Sequence, residues 1–504
     1  MKTSLQRAHK WVWILIPLLI GIAVAIKTIN TGFPNSDTYF IIDAGKYIVE
    51  NGTVPTTNPF VIHEGFGVII QQWLFDVLMY GVYRIGGWTG VFVYSIIILG
   101  IAAVAMYRFF GLYSQNKTLK VILLSICIAV GSAFAVARPT SLSFLMCLSV
   151  VAVMETYRRN NKWHVLLWLP LISLLTINIH AAMWPMLFVL IMPFIFPGKM
   201  PDFKSDGIGK GIAAFFKEWF TKWKWVLLAM ICMVIVGFVN PNGLNGIGYL
   251  VLSYGSATNG RIAELEPPMM LSYYGMWVLL SFALLVLYVY TRKRNMDMTN
   301  FYMAAGTLVM AMLHMRNLWF LFFGATPLFL TMLDGVQRKK HKERRVTAVS
   351  LIADFYGICL VVALAFIFCG TISVDIEDDI LSPVKAVEYL DSHNKEDIVL
   401  YTGFNNGAYM EMNGYKVYMD ARPELFQKKI NGKEDIYSEY LNVINGLCDY
   451  EAFFDKYEFT HMIVEDGTAL SGFLRAYDGY REVAIGNGYV LYEYAGYIAD
   501  LNPE

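Results

Sequence analysis

Residues 35–60 read NSDTYFIIDAGKYIVENGTVPTTNPF. Phe40, Ile41, Ala44, Tyr47 and Ile48 recur at helical spacing, while Asp43, Lys46 and Glu50 fall off that stripe. Ser36 or Asp37 can cap the helix, and Gly52 can end it. The charges are too frequent for a membrane span. The pattern predicts a helix lying in a membrane interface, with Asp43 on its solvated polar face. A second such helix is predicted from about Ile70 to Arg84, with Ile70, Trp73, Leu74, Val77 and Leu78 as its stripe and Gln71, Gln72 and Asp76 as polar positions. Pro55, Asn58 and Pro59 make an irregular crossing between the two.

The flanking sequence is of another kind. Apolar runs long enough to cross a hydrocarbon core of about 30 Å lie near 11–28, 88–108, 119–137, 140–156, 164–181, 183–197, 224–240, 272–290, 299–314, 317–333 and 347–369. Of the 504 residues, 56% are hydrophobic and only 16% charged, where a soluble chain would carry about a quarter. The charge deficit is confined to residues 1–370. The formal net charge is zero, which gives no electrostatic footprint for nucleic acid. The expected architecture is therefore a polytopic helical bundle of roughly eleven transmembrane helices over residues 1–370. The run from Trp11 lacks a small-residue cleavage site after it and reads as a signal anchor.

Lysine and arginine set the expected orientation. Lys2, Arg7 and Lys10 share a side with Arg108, Lys117 and Lys120, with Arg158, Arg159 and Lys162, and with the basic run from Lys199 to Lys224. Arg292, Lys293 and Arg294, then the run from Arg338 to Arg345, continue the same alternation. The positive-inside rule puts this face in the cytoplasm, and an odd number of crossings puts the residues after 370 outside. The outer face then holds a long first loop, 29–87, bearing the two predicted helices, and a second loop at 241–271. It also holds isolated polar groups at helix ends: Arg138 before Pro139, Asn178 and His180, and His314 with Arg316.

Residues 371–504 have ordinary composition. Helices are expected at Pro383–Leu390, Ile436–Ile444 and Tyr450–Tyr457, and strands at Asp397–Tyr401, Lys416–Met419, His461–Val464 and Tyr489–Tyr494. This predicts a small extracytoplasmic α/β domain with one sheet. Asp420 and Arg422 are expected to pair in a turn. Five of the six cysteines lie in or beside apolar runs, and no Cys/His spacing marks a zinc site. Asn51-Gly52-Thr53 fits a glycosylation acceptor or a simple glycine turn.

The first loop, N35-S-D-T-Y-F-I-I-D-A-G-K-Y-I-V-E-N-G, and its continuation Q72-W-L-F-D-V-L-M-Y-G resemble the first outer loop of GT-C-type membrane glycosyltransferases. These are relatives of protein O-mannosyltransferases and aminoarabinose transferases, here a prokaryotic branch with a soluble C-terminal domain. Further matches follow in order: R138-P, N178-I-H, E264-L-E-P-P, R316-N, G403-F-N-N-G-A-Y and V417-Y-M-D-A-R. Leu265 and Pro267 depart from the family pattern, as does Thr38, where relatives often carry a second acid.

The resemblance implies an enzyme that moves a sugar from a polyprenyl-phosphate carrier to a glycan, lipid or protein acceptor at the outer face of the cell membrane. It implies Asp37 as the catalytic acid, and Gln72, Trp73, Arg138, Asn178, His180, Glu264, His314 and Arg316 as substrate-binding positions. Arginine's bidentate fork suits a lipid phosphate, though an arginine at a helix end can also snorkel to the interface. Asn178 and His180 could equally join neighbouring helices, and Glu264 could pair with Arg261. No ligand spacing asserts a metal, but Glu264 and Glu266 could hold a divalent ion. A flippase of lipid-linked glycans would instead show midplane charges and an internal repeat, and neither is present in the sequence. A non-enzymatic sensor would rely on the outer domain alone.

Overall fold

The computed structural model describes residues 2–29, 34, 36–131, 137–196, 208–253, 266–292, 296–337, 383–486 and 488–497. Outside them lie the expected span 347–369 with Cys359 and Cys369, the boundary at 370, Lys199, Lys204, Lys293, Arg294, the basic run 338–345, Arg261 and Glu264. The chain divides into two compact units. One comprises 1–30, 92–240 and 259–372; the other comprises 31–91, 241–258 and 373–504.

The first unit is helical. Each apolar run between residues 119 and 333 falls on a helix: Lys117–Gly131, Thr140–Asn160, Trp168–Ile179, Trp184–Ile195, Ile208–Gly237, Tyr273–Arg292, Met298–Leu313 and Leu321–Gln337. Five described stretches of the chain are long and apolar enough to cross a bilayer: Trp73–Phe110, Thr140–Asn160, Trp219–Gly237, Tyr273–Arg292 and Met315–Leu333. Other apolar helices are shorter than the sequence reading expects. Two of them, in the stretches Trp163–Ile179 and Ala181–Ile195, open on 3-10 turns at Trp163–Leu167 and Ala181–Met183, and those tighter turns take residues from the α-helix that follows.

Helix Tyr273–Arg292 shows what the unit does with its surface. Met276, Leu279, Leu280, Phe282, Val286 and Leu287 are exposed along it, while Val278 is buried against Leu308, Ala311, Leu318 and Leu321. Water would penalise such an apolar face, and lipid would not. The Arg158–Arg159 turn is more than a charge marker. Glu155 is fully buried and accepts from Arg158 Nε at 2.9 Å and Arg159 Nε at 2.6 Å. Arg158 Nη1 also reaches Asp297 at 2.8 Å, and Asp297 caps helix Met298–Leu313.

The second unit is mixed. Strands β1 (Leu400–Tyr401), β2 (His461–Glu465), β3 (Tyr480–Gly486) and β4 (Tyr489–Tyr494) form one sheet in the order β1-β2-β4-β3. β1 lies parallel to β2, and the other pairs are antiparallel. The sequence reading lacks β3, whose Arg481-Glu482 start hides its apolar alternation. Lys416–Met419, predicted as a strand, contributes only a bridging residue. Val417 pairs with both Leu400 and Val61, and its N–H donates to the Phe60 carbonyl at 3.0 Å. Phe60, Val61, Phe66, Val68 and Ile70 from the first loop share one core with Leu400, Val417, Met462 and Leu491. The stretch 241–258 adds helix Gly243–Ser253, whose Tyr249 joins that core.

Helix Ser36–Asn51 forms as its spacing predicts, and more than its apolar stripe is covered. Thr38 through Gly45 are all buried, because helix Gly407–Met412 and the Arg422 turn cover the side that one apolar stripe would leave bare. The second predicted helix starts at Trp73 and continues to Phe110 with a kink instead of a stop. Gly87, at φ 56° and ψ −150°, supplies a backbone state that few other residues adopt. Gly45 allows a close crossing. A Cβ there would stand 2.1 Å from the Asp76 carbonyl oxygen.

That contact yields a test. Gly45→Ala must push apart two backbones and should destabilise the second unit by about 1–3 kcal/mol. Gly81→Ala, with nothing within 4 Å of the new methyl, should be neutral or slightly stabilising. Thermal unfolding of both variants in detergent, followed by tryptophan fluorescence, separates them.

Candidate functional site

The site in the second unit is built around one buried cation. After Val417 the chain turns at Asp420-Ala421-Arg422. The Arg422 N–H donates to Asp420 Oδ1 at 2.6 Å, which turns the side chain back on the same carboxylate. Arg422 Nε reaches both Asp420 oxygens at 3.1 Å, and Nη2 donates to the Glu411 carboxyl at 3.0 Å. Its guanidinium also lies over the rings of Phe40 and Phe60, at 5.0 and 5.6 Å. The expected Asp420–Arg422 pair is therefore present, but it is buried and has a third member, Glu411, on helix Gly407–Met412.

The charges around Arg422 do not balance. Asp420 and Glu411 touch it, and Asp43 and Asp76 lie within its field. Like charges crowded into a buried site cannot all ionise. Burial alone would raise the Asp420 carboxyl, but the Arg422 charge and hydrogen bonds hold it below the ordinary value. Burial lifts Glu411 well above the ordinary value despite Arg422, and the Asp420 charge adds to the rise. Burial also raises Asp43 to about 6, against the pull of Lys46 and Arg422. Asp43 is thus not on a solvated polar face; it is only 9% exposed.

A pocket opens beside this cluster, bordered by Phe40, Gln72, Asp76, Tyr249, Arg422 and Glu424. Tyr249 donates to Glu424 at 3.2 Å. Asp76 is fully buried, with the Gln72 side chain beside its carboxyl. Gln71 Oε1 accepts no hydrogen bond from the described residues. Unmet buried acceptors carry a desolvation cost that a ligand with N–H or O–H donors would offset. Asp37 stands in the first turn of helix Ser36–Asn51, half-buried, three residues before Phe40. Residues three apart are neighbours on a helix face, so Phe40 lies next to both Asp37 and Asp43. Gln72 borders the pocket, and Trp73 packs against the core. Asp43, Asp76 and Glu411 are absent from the sequence reading of the site. An acid in the first turn of an otherwise apolar helix was the available signal for Asp76.

The first unit gathers other expected positions. Arg138 precedes helix Thr140–Asn160, and its carbonyl accepts from Ser141 Oγ at 2.8 Å. Ser143 Oγ donates to the Pro139 carbonyl at 2.9 Å and lies 2.8 Å from His180 Nδ1. With its one proton committed, the hydroxyl accepts from Nδ1–H. The Arg316 charge acts on the His180 ring. Met315 N–H donates to the Glu266 carbonyl at 2.8 Å, which ties that loop to the His314–Arg316 turn. Asn178 donates to the Leu174 and Val239 carbonyls at 2.8 and 2.9 Å, which makes it a helix-joining residue. An apolar cavity is bordered by Leu99, Ile128, Thr140, Ser141, Phe144 and Trp319, close in sequence to Arg138 and Arg316.

The fold is similar to that of the oligosaccharyltransferase of Archaeoglobus fulgidus. The structure of that enzyme tethered to an acceptor peptide containing the NVT sequon matches at a TM-score of 0.50 and 11% identity, over 90% of this chain and 69% of that one. The archaeal enzyme AglB in complex with an inhibitory peptide and a dolichol-phosphate matches at a TM-score of 0.49 and 12% identity, over 98% of this chain and 75% of that one. No family model and no curated protein matches the sequence. At such identities the likeness is one of fold.

Two measurements address the buried cluster. Arg422→Met strands Asp420 without its counter-charge and should cost about 3–5 kcal/mol in thermal unfolding. Asp43 gives a pH signature. Its carboxyl rises from 3.8 to about 6 on folding, so that contribution to stability is complete below 3.8 and is lost as the pH climbs through about 6. Asp43→Asn removes the loss, so its melting temperature relative to wild type should rise between about pH 4 and pH 7, by up to about 3 kcal/mol in stability.

Proposed function

We propose that this protein is a membrane glycosyltransferase that takes a sugar from a polyprenyl-phosphate carrier and passes it to an acceptor at the outer face of the cell membrane. The observation that carries the proposal is the fold shared with an oligosaccharyltransferase over 90% of the chain. In this reading the N-terminus is cytoplasmic and residues 371–504 are extracytoplasmic. The acceptor is a glycan, lipid or protein nucleophile.

Asp37 is the acid that orients or deprotonates the acceptor. Its half-buried position in the first turn of a helix otherwise fixed in a core supports that role, because a base must be held within hydrogen-bond reach of its proton. The open acceptor of Gln71, with Gln72 and Asp76 beside it, suits the hydroxyls of a sugar or the donors of an acceptor. Arg138 and Arg316 hold the carrier phosphate and stabilise the charge that develops on it as the glycosidic bond breaks. The apolar cavity lined by Thr140, Ser141 and Trp319 suits the first isoprene units of the carrier. His180, held through Nδ1 by Ser143, has Nε2 as its remaining ring nitrogen and is assigned to carrier binding with Arg138 and Arg316. Trp73, Glu264 and His314 complete the substrate-binding set, with Asn178 holding the helix end beside His180, and Glu264 could also hold a divalent ion.

Transfer assays in membranes supplied with polyprenyl-phosphate sugars test this. Asp37→Asn should lower transfer by about 10²–10⁴-fold at unchanged protein level. Arg138→Gln should act chiefly by raising the donor concentration needed. Full transfer by Asp37→Asn would remove Asp37 from the chemistry.

A further inference from the structure

A separate cluster of titratable groups shares no residue with the Arg422 site. His461 on β2 and Glu493 on β4 are direct cross-strand partners, so their side chains leave the same face of the sheet. His461 Nε2 lies 3.4 Å from Glu493 Oε2, and both side chains are buried. His393, just after helix Val384–Leu390, brings its ring to 5.7 Å from that of His461. One ligand atom from each of the three residues lies within 4.8 Å of the other two.

The surroundings hold each group in place. His461 Nδ1 lies 3.0 Å from Thr460 Oγ1. His393 Nδ1 lies 3.1 Å from Ser392 Oγ and 3.2 Å from the Tyr389 carbonyl. Both rings therefore have Nδ1 engaged by oxygen and Nε2 left over, the arrangement of imidazoles that ligate a metal. Arg481 binds Glu493 Oε1, and the Tyr389 hydroxyl donates to Oε2 at 2.6 Å. The carboxylate is thus oriented, and Oε2 retains a second lone pair.

We propose that His393, His461 and Glu493 form a site for a zinc-class divalent cation. In a tetrahedral site with bonds of about 2.0–2.1 Å, neighbouring ligand atoms stand about 3.3–3.4 Å apart. The His461–Glu493 separation already has that length. His393 closes the third edge by a small ring movement, and water takes the fourth position. Two imidazoles with one carboxylate favour zinc over magnesium or calcium, which prefer all-oxygen shells. The ion would tie β2 and β4 to the turn after helix Val384–Leu390, as a structural staple. The proposal does not rest on glycosyl transfer.

The test uses the full-length protein in detergent, stripped with chelator and then equilibrated with zinc or magnesium chloride. Elemental analysis after desalting should find about one zinc per chain, and zinc but not magnesium should raise the melting temperature. His393→Gln leaves the strand pairing untouched. It should melt like the stripped wild type and lose both the bound zinc and the shift. Wild-type protein retaining less than about a tenth of an equivalent of zinc overturns the site, whether or not the variant folds. Wild-type zinc content in His393→Gln also overturns it.

Discussion

The Arg422 guanidinium is the point on which the second unit depends. A buried charge is costly unless it is paired and hydrogen-bonded, and this one is met by Asp420, by Glu411 and by two aromatic rings. The rings belong to Phe40 and Phe60, so the same cation that closes a turn near residue 420 also holds the first loop. Backbone pairing adds to it, since Val417 bonds to Phe60 and Ile62 on one side and bridges Leu400 on the other. Helix Ser36–Asn51 is consequently fixed one turn away from Asp37.

The same crowding supplies the chemistry. Several carboxyl groups face one cation, so burial keeps some of them protonated while Arg422 keeps Asp420 ionised. Asp43, near 6, sits where a carboxyl can change state under ordinary conditions. Asp76, fully buried, borders the adjoining pocket. These are properties of an environment that was assembled from segments far apart in sequence.

The first unit follows a different logic. Its helices show apolar side chains outward, and their polar groups are met locally. Glu155 takes Arg158 and Arg159, Asn178 takes two carbonyls, and Ser143 couples the Arg138-Pro139 turn to His180. A bundle in lipid has no water to satisfy stray donors, so polar residues serve to join helices.

Much of this was legible in the chain. Apolar runs located the helices, and the spacing from Phe40 to Ile48 with Gly52 bounded helix Ser36–Asn51, because these features depend on residues a few positions apart. The order of short motifs pointed to the GT-C fold before any contact was known. Tertiary structure alone decided the rest. It buried Asp43 and both faces of the first half of that helix, because the covering elements come from residues 407–422. It gave Arg422 a third partner in Glu411, joined the first loop to the C-terminal sheet, and brought His393, His461 and Glu493 together. Periodicity reports which face of an element is apolar. It carries no information about which distant segment packs on the other face, and burial, charge balance and ligand geometry all depend on that packing.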